Sequence, residues 1–246
     1  MAPDGEGCWT PARGNENEGA IELIVRNLFA SGPDFTEMGG RNESPFAGLN
    51  VLICEDEYLL ADDLARRFEL SGARVVGPTA TLQGSLETAT LAEALGAAVL
   101  DIRLGEDFIF PVADILAARG VPFVFFSGYD DVALPSRFGG VRRLSKMEEL
   151  DRIIVAVLTE RVISCANAGR PPARCEDDKI AAILPRLRLL ARLLTDETKS
   201  DDLVAKALER AIADVTRRSA YSSTVRWLMS LLEEVWLRQQ RQRYLH

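Results

Sequence analysis

Residues 49–77 read LNVLICEDEYLLADDLARRFELSGARVVG, and they contain two apolar runs separated by a segment of helical spacing. Its first six residues, LNVLIC, form a continuous apolar run that is typical of a strand buried on both faces. Leu60, Leu64 and Phe68 then recur at helical spacing, and Ser71-Gly72 ends that helix. A second short apolar run, ARVVG, follows directly. The stretch therefore predicts a strand, a helix and a second strand.

The alternation of strand and helix continues to about residue 158. Short apolar runs predict three further strands, at 97–102, 122–127 and 141–145. Helical spacing predicts helices after the second, third and fifth strands, at 81–95, 112–119 and 150–158. Strand–helix units at this spacing predict a parallel sheet with helices on both faces.

Polar residues stand at the expected carboxyl ends of these strands. They are Glu55 and Asp56 after the first, Asp101 in the third, Ser127 at the end of the fourth, and Lys146 after the fifth. If the strands are ordered 2-1-3-4-5, these side chains converge in one pocket. A single aspartate at a strand end is usually a turn former, but five such residues at the expected positions favour a functional site.

The composition of this pocket predicts a particular chemistry. Three neighbouring carboxylates repel one another, and oxygen ligands without imidazole or thiolate favour Mg²⁺. Beside such an ion an aspartate can act as a nucleophile towards phosphorus and form an acyl phosphate. Lys146 and the Ser127 hydroxyl supply a positive charge and a hydrogen bond for the phosphoryl oxygens.

On these residues, segment 49–158 resembles the receiver domain of two-component response regulators. The resemblance implies a flavodoxin-like, doubly wound, five-stranded parallel sheet and phosphorylation by a histidine kinase or phosphotransferase. Asp101 would be the phosphoacceptor, Lys146 the invariant lysine and Ser127 the switch hydroxyl. Mg²⁺ would be held by the acidic pair Glu55 and Asp56, by Asp101 and by the backbone carbonyl of Arg103.

Two positions depart from the usual receiver pattern. Arg143 stands where receivers carry Tyr or Phe, and Met147 stands where Pro usually follows the lysine. Residues 125–129, FFSGY, are similar to a receiver subgroup with a Phe-x-Thr-Gly-Tyr/Gly motif, whose members also lack that aromatic residue. We therefore expect phosphorylation to be retained and signalling to pass through segment 127–140.

The chain changes character after the receiver-like segment. Residues 164–178 read as a linker, and beyond them helices are predicted at 183–194, 201–216 and 224–243. The net charge of −8 divides into −13 for the first 178 residues and +5 for the rest. The predicted organisation is an N-terminal extension (1–46), largely disordered with a short helix at 20–29, then a receiver domain (47–163), the linker (164–178) and an all-α module (179–246).

The C-terminal module resembles region 2 of extracytoplasmic-function sigma factors. The resemblance rests on Leu-Pro-Arg-Leu at 184–187, Asp-Asp-Leu-Val at 201–204, Leu-x-Arg-Ala at 208–211 and Arg-Trp-Leu at 226–228. Ala205 and Lys206 stand where those factors carry Gln and an acidic residue for polymerase binding. A receiver joined to such a module is similar to stress regulators that sequester an anti-sigma factor when phosphorylated, but here the order is reversed and one lobe is present.

Three functions follow from these patterns. The leading one is a regulatory switch whose helices bind an anti-sigma factor or another regulatory protein. The alternative is a sigma-type DNA-binding regulator, in which Arg238, Arg241 and Arg243 would contact phosphates. An aspartyl-phosphate hydrolase of the haloacid dehalogenase type is disfavoured, because it needs Asp-x-Asp and Asp101 is followed by Ile102 and Arg103. We expect a protein that catalyses only its own phosphorylation and dephosphorylation.

Composition excludes other classes. The one histidine is His246, so a Ser/His/Asp hydrolase and a His-ligated zinc enzyme are excluded. No apolar run is long enough to span a membrane, and the polar N-terminus does not resemble a secretion signal. The four cysteines show no C-x-x-C pair and are interpreted as free thiols, which predicts a cytoplasmic protein.

Overall fold

The computed structural model describes residues 44–128, 132–167, 180–214 and 223–244 of the 246-residue chain. The strands are β1 (Asn50–Cys54), β2 (Arg74–Thr79), β3 (Leu95–Asp101), β4 (Arg103–Leu104), β5 (Asp107–Phe108), β6 (Phe123–Ser127) and β7 (Arg143–Ser145). The helices are α1 (Tyr58–Leu70), α2 (Leu82–Leu91), α3 (Phe110–Ala118), α4 (Leu150–Asn167), α5 (Ile180–Leu194), α6 (Glu197–Ala213) and α7 (Thr224–Tyr244), with a 3₁₀ turn at Ser136–Phe138. The predicted helix at 20–29 lies outside the described residues.

Five of the strands form a parallel sheet in the order β2-β1-β3-β6-β7. This is the predicted 2-1-3-4-5 order and the flavodoxin-like arrangement, and helices cover both faces of the sheet. The register pairs Cys54 with Leu100, Asp101 with Phe126 and Ser127 with Ser145, so the carboxyl ends of β1, β3, β6 and β7 lie side by side. The register therefore determines which side chains meet at that edge.

Some element boundaries differ from the sequence prediction. The second helix ends at Leu91 rather than residue 95, because Ala94 has a positive φ of 49° and β3 begins at Leu95. A small antiparallel hairpin, β4–β5, precedes α3 and was not predicted. Helix α4 continues to Asn167, so the first four residues of the predicted linker are helical, and residues 168–179 lie outside the description. Helix α6 begins at Glu197, four residues before its predicted start.

Helix α4 is buried along most of its length, since residues 153–162 are all less than a tenth exposed. One side contacts β3 and β6, and the helix also contacts α5 and α7. A single cluster of buried apolar side chains therefore extends from Val51 and Phe68 in the receiver-like part to Leu190 and Leu232 in the C-terminal helices. The predicted division into domains stays a prediction, but the described parts share a hydrophobic core.

Ion pairs at the boundary accompany this packing. The Arg142 guanidinium donates two hydrogen bonds of 2.6 Å to the carboxylate of Glu233, which also accepts a bond from the Thr159 hydroxyl. The Arg226 guanidinium pairs in the same two-pronged way with Glu160. Such bidentate pairs fix both distance and orientation, so they hold α7 in register against α4 and the strand preceding it.

Candidate functional site

The carboxyl edge of the sheet brings together the residues that the sequence placed there. Lys146 follows β7, and its ammonium lies 2.7 Å from Glu55 Oε1 and 2.8 Å from Asp101 Oδ2. The Glu55 side chain is 1% exposed and that of Asp101 is 7% exposed. Buried charges are tolerated when they are paired and hydrogen-bonded, and Lys146 supplies that pairing. Asp101, Glu55 and Lys146 therefore form one connected cluster.

The third predicted carboxylate, Asp56, lies at the solvent side of this cluster. Its Oδ2 accepts a hydrogen bond of 2.9 Å from the backbone N–H of Gly105, which fixes the orientation of the side chain. Glu55, Asp56 and Asp101 each offer one oxygen, and these atoms lie within 4.8 Å of one another. That separation lets one small cation contact all three.

The donor atoms fit a magnesium ion. Glu55 Oε2 is buried and has no hydrogen-bond partner, so one carboxylate oxygen is left without compensation. Leaving such an atom unpaired is unfavourable, and a hard cation beside it would remove the penalty. Oxygen ligands from short acidic side chains, with water completing the shell, are what Mg²⁺ prefers.

The remaining two predicted site residues also lie at this edge. The backbone N–H of Arg103 donates to Asp101 Oδ1 at 3.2 Å, which orients the carboxylate, and the Arg103 side chain lies over the Phe108 ring at 5.6 Å. Ser127 is 3% exposed, and its backbone carbonyl accepts a hydrogen bond of 2.9 Å from the Lys146 backbone N–H. Ser127 thus connects β6 directly to the lysine.

Glu57 belongs to the site, and the sequence analysis did not single it out. Its Oε1 accepts a hydrogen bond of 2.8 Å from the Lys146 ammonium, although the Glu57 side chain is 67% exposed. Its backbone N–H donates to Glu55 Oε1 at 3.1 Å. An acidic residue just before a helix usually interacts with the helix dipole. Its position in the sequence therefore did not indicate a contact with Lys146.

The electrostatics reflect an excess of acidic groups in a partly buried place. Burial raises the pKa of Glu55 to about 7, and the Asp101 charge adds to this, against the hydrogen bond from Lys146. Burial also raises the pKa of Asp101, while Lys146 opposes that change. Burial lowers the pKa of Lys146, but its hydrogen bonds to Asp101, Glu55 and Glu57 prevail and raise it. The lysine is therefore fully charged, and the carboxylates are under-compensated.

The two departures from the receiver pattern have distinct surroundings. Arg143 donates a hydrogen bond of 2.8 Å to the Val132 carbonyl, and its Nε and second terminal nitrogen are buried without partners. Met147 is 92% exposed. Arg143 thus connects β7 to the segment that follows β6. It occupies the position at which receivers usually carry an aromatic side chain. Tyr129, the last residue of the subgroup motif, lies outside the described residues.

The C-terminal helices form a core but no second cluster of this kind among the described residues. Leu203, Ala207 and Ala211 of α6 are buried. Arg238 and Arg241 are exposed on α7, and Arg241 pairs with Glu149 at 3.0 Å, whereas the Arg243 side chain lies outside the description. Within the described ranges, no helix combines the length and the apolar character needed to cross a membrane.

The sheet order and the group of carboxylates around one lysine are similar to those of the receiver domains of response regulators. No protein-family model matches the chain. The Phyllosphere-induced regulator PhyR of Methylorubrum extorquens is 31% identical over 107 residues, which cover 43% of this chain and 38% of PhyR. The chain therefore matches less than half the length of this curated relative.

Solved receiver structures are also similar to this chain. The solution structure of SdrG from Sphingomonas melonis is 35% identical, with a TM-score of 0.41, and the match covers 47% of this chain and 98% of SdrG. The crystal structure of a response regulator receiver protein from Sinorhizobium medicae is 20% identical, with a TM-score of 0.42, and the match covers 47% of this chain and 96% of that one.

Proposed function

We propose that this chain is a cytoplasmic response regulator in which Asp101 accepts a phosphoryl group from a histidine kinase or phosphotransferase. The observation that carries the proposal is the Lys146 ammonium, held between Asp101 and Glu55 beside a buried carboxylate oxygen that has no partner. A purely structural ion pair would leave no such excess of negative charge. The excess suits a cation and an incoming phosphoryl group.

In the proposed reaction one carboxylate oxygen of Asp101 attacks phosphorus. A P–O bond forms, the P–N bond of the phosphohistidine breaks, and its electron pair stays on the imidazole nitrogen. Mg²⁺ held by Glu55, Asp56, Asp101 and the Arg103 carbonyl would supply positive charge for the phosphoryl oxygens. Lys146 donates one hydrogen bond to those oxygens, and the Ser127 hydroxyl donates another. Hydrolysis of the acyl phosphate resets the protein, and no external substrate is turned over.

The proposed output is a change in how the C-terminal helices are presented to a protein partner, an anti-sigma factor or another regulatory protein. Ser127 and Arg142 are the two ends of the segment between β6 and β7, and Arg142 pairs with Glu233 of α7. A shift of Ser127 towards a phosphoryl group would therefore displace Arg142 and, through its ion pair with Glu233, change the position of α7.

Phosphorylation of Asp101 is tested by incubating the full chain with phosphoramidate and Mg²⁺ and recording its intact mass. We expect one added phosphoryl group in the wild type and in Asp107→Ala, an exposed aspartate of the neighbouring hairpin that serves as control. Asp101→Ala should remain unmodified while keeping its circular dichroism spectrum. Modification of the Asp101→Ala variant would disprove the assignment.

The output is tested by hydrogen exchange with and without beryllium fluoride and Mg²⁺. We expect faster amide exchange in α7 when the phosphoryl mimic is bound. The alternative, a DNA-binding regulator, predicts instead that the chain binds promoter DNA with an affinity that falls steeply with salt. DNA binding at low salt, with unchanged exchange in α7, would favour that alternative.

A further inference from the structure

We propose that Glu57 is a positioning residue that occupies one donor of Lys146 in the resting protein and yields it to the phosphoryl group. The inference deepens the proposed function and rests on it. An ammonium group has three N–H donors. In the structure these are directed at Glu55 Oε1, Glu57 Oε1 and Asp101 Oδ2, at 2.7, 2.8 and 2.8 Å. Lys146 therefore has no donor left for a phosphoryl oxygen.

One of these three contacts must be given up as the phosphoryl group approaches, while Asp101 is still an ionised carboxylate. The side chains of Glu55 and Asp101 are 1% and 7% exposed, so releasing either would leave a buried charge unpaired. The Glu57 side chain is 67% exposed, and its carboxylate can turn into water at little loss. Glu57 is therefore the contact that is replaced.

The local backbone supports a dedicated role for this side chain. Glu57 occupies the residue before the first turn of α1, with extended backbone angles, yet its side chain makes no capping hydrogen bond to the helix. The carboxylate instead reaches across to Lys146, 89 residues away in sequence. Helix capping thus does not explain its direction, whereas competition for the lysine does.

Competition predicts the sign of a substitution. Glu57→Gln keeps the size of the side chain and an oxygen that accepts a hydrogen bond, but removes the charge. The phosphoryl group then displaces a weaker partner and meets one less negative charge. We expect the full chain with Mg²⁺ to react with phosphoramidate about threefold faster than the wild type, since an exposed ion pair contributes an effect of that size. Ammonia leaves as the P–N bond breaks and the Asp101 acyl phosphate forms.

Salt dependence separates this role from a merely structural one. The Glu57 side chain is 67% exposed, although that of Lys146 is only 12% exposed, so the difference between wild type and variant should shrink in about 0.5 M salt, where exposed charges are screened. Glu69→Gln is the matched control, because Glu69 lies exposed on the same helix and contacts no cation among the described residues. It should react at the wild-type rate at either salt concentration.

The outcomes are distinguishable. A Glu57→Gln rate that is equal to or below the wild-type rate, while Asp101 is still modified, overturns the role of Glu57 and leaves the proposed function intact. An acceleration that persists unchanged in high salt also overturns it. If the wild type takes up no phosphoryl group at Asp101, the proposed function and the role of Glu57 are both wrong.

Discussion

The carboxyl edge of the sheet and the boundary with the C-terminal helices both collect acidic and basic side chains, but they balance charge differently. At the sheet edge one lysine contacts three carboxylates, and a buried oxygen of Glu55 has no partner. At the boundary Glu233 pairs with Arg142, and Glu160 pairs with Arg226. Matched pairs in this protein therefore hold elements together, whereas unmatched charge gathers at the edge where we propose that a cation and a phosphoryl group bind.

The strongest way to test this contrast is to remove a matched partner. Glu233→Ala leaves the Arg142 guanidinium and the Thr159 hydroxyl without their acceptor in a largely buried place. We expect the free energy of unfolding to fall by about 3 kcal/mol, the lower end of the range for breaking a buried pair, because the Arg142 side chain is 25% exposed. Urea denaturation of the full chain measures this.

The adjacent residue provides the control for that experiment. Glu234→Ala removes an exposed carboxylate that pairs with no described cation, and it should change the free energy of unfolding by less than about 0.5 kcal/mol. Similar losses for Glu233→Ala and Glu234→Ala would show that the boundary pair does not stabilise the fold.

At the unmatched cluster, a negative charge on Glu55 should lower the stability of the protein, whereas the charge on Glu233 at the boundary should raise it. Glu55 has a pKa of about 7 in the folded protein against its usual 4.5, so the folded state holds a proton that the unfolded chain releases between these values. In metal-free buffer, the free energy of unfolding should therefore fall as the pH rises from 5 to 7.5, by an amount of order 1 kcal/mol. Thermal unfolding at several pH values would measure it.

Two changes sharpen the same prediction. Glu55→Gln cannot ionise, so this variant should lose most of that pH dependence and be more stable than the wild type at pH 7.5 without metal. Added Mg²⁺ should stabilise the wild type at pH 7.5 and the variant much less. An unchanged pH profile in Glu55→Gln would mean that another group titrates.

The smallest effect is expected at the rim of the boundary. Arg241 and Glu149 are 3.0 Å apart, but their side chains are 62% and 58% exposed. Arg241→Ala should change the free energy of unfolding by less than about 0.5 kcal/mol, similar to Arg238→Ala, because exposed pairs are screened by water and salt. A loss above 1 kcal/mol in urea denaturation would show that burial is a poor guide to the strength of these pairs.

The sheet and the positions of its edge residues could be predicted because both are local signals. LNVLIC at 49–54 and PFVFFS at 122–127 are apolar runs. Glu55 and Asp56 directly follow the first run, and Ser127 ends the second. The strand order then brings Asp101 and Lys146 to the same edge, as observed. Sequence spacing therefore placed these residues at one edge of the sheet without any knowledge of side-chain contacts.

What could not be predicted depends on distant partners or on very short elements. Arg142 and Glu233 are 91 residues apart, and no sequence pattern around either residue indicates that the two side chains form a pair. The two-residue strands β4 and β5 are too short to show a period. One signal was available but was given too little weight: Ile153–Leu158 is apolar at every position, which is typical of a helix covered on all sides rather than on one.

The two-sided burial of α4 has a consequence for how this chain can be divided. A fragment ending at Asn167 would expose to water the apolar surface that now packs on α5 and α7, including Ile154 and Leu158 beside Trp236. Such a fragment is expected to self-associate or aggregate. Recombination that exchanged the C-terminal helices would have to reproduce the complementary apolar surface.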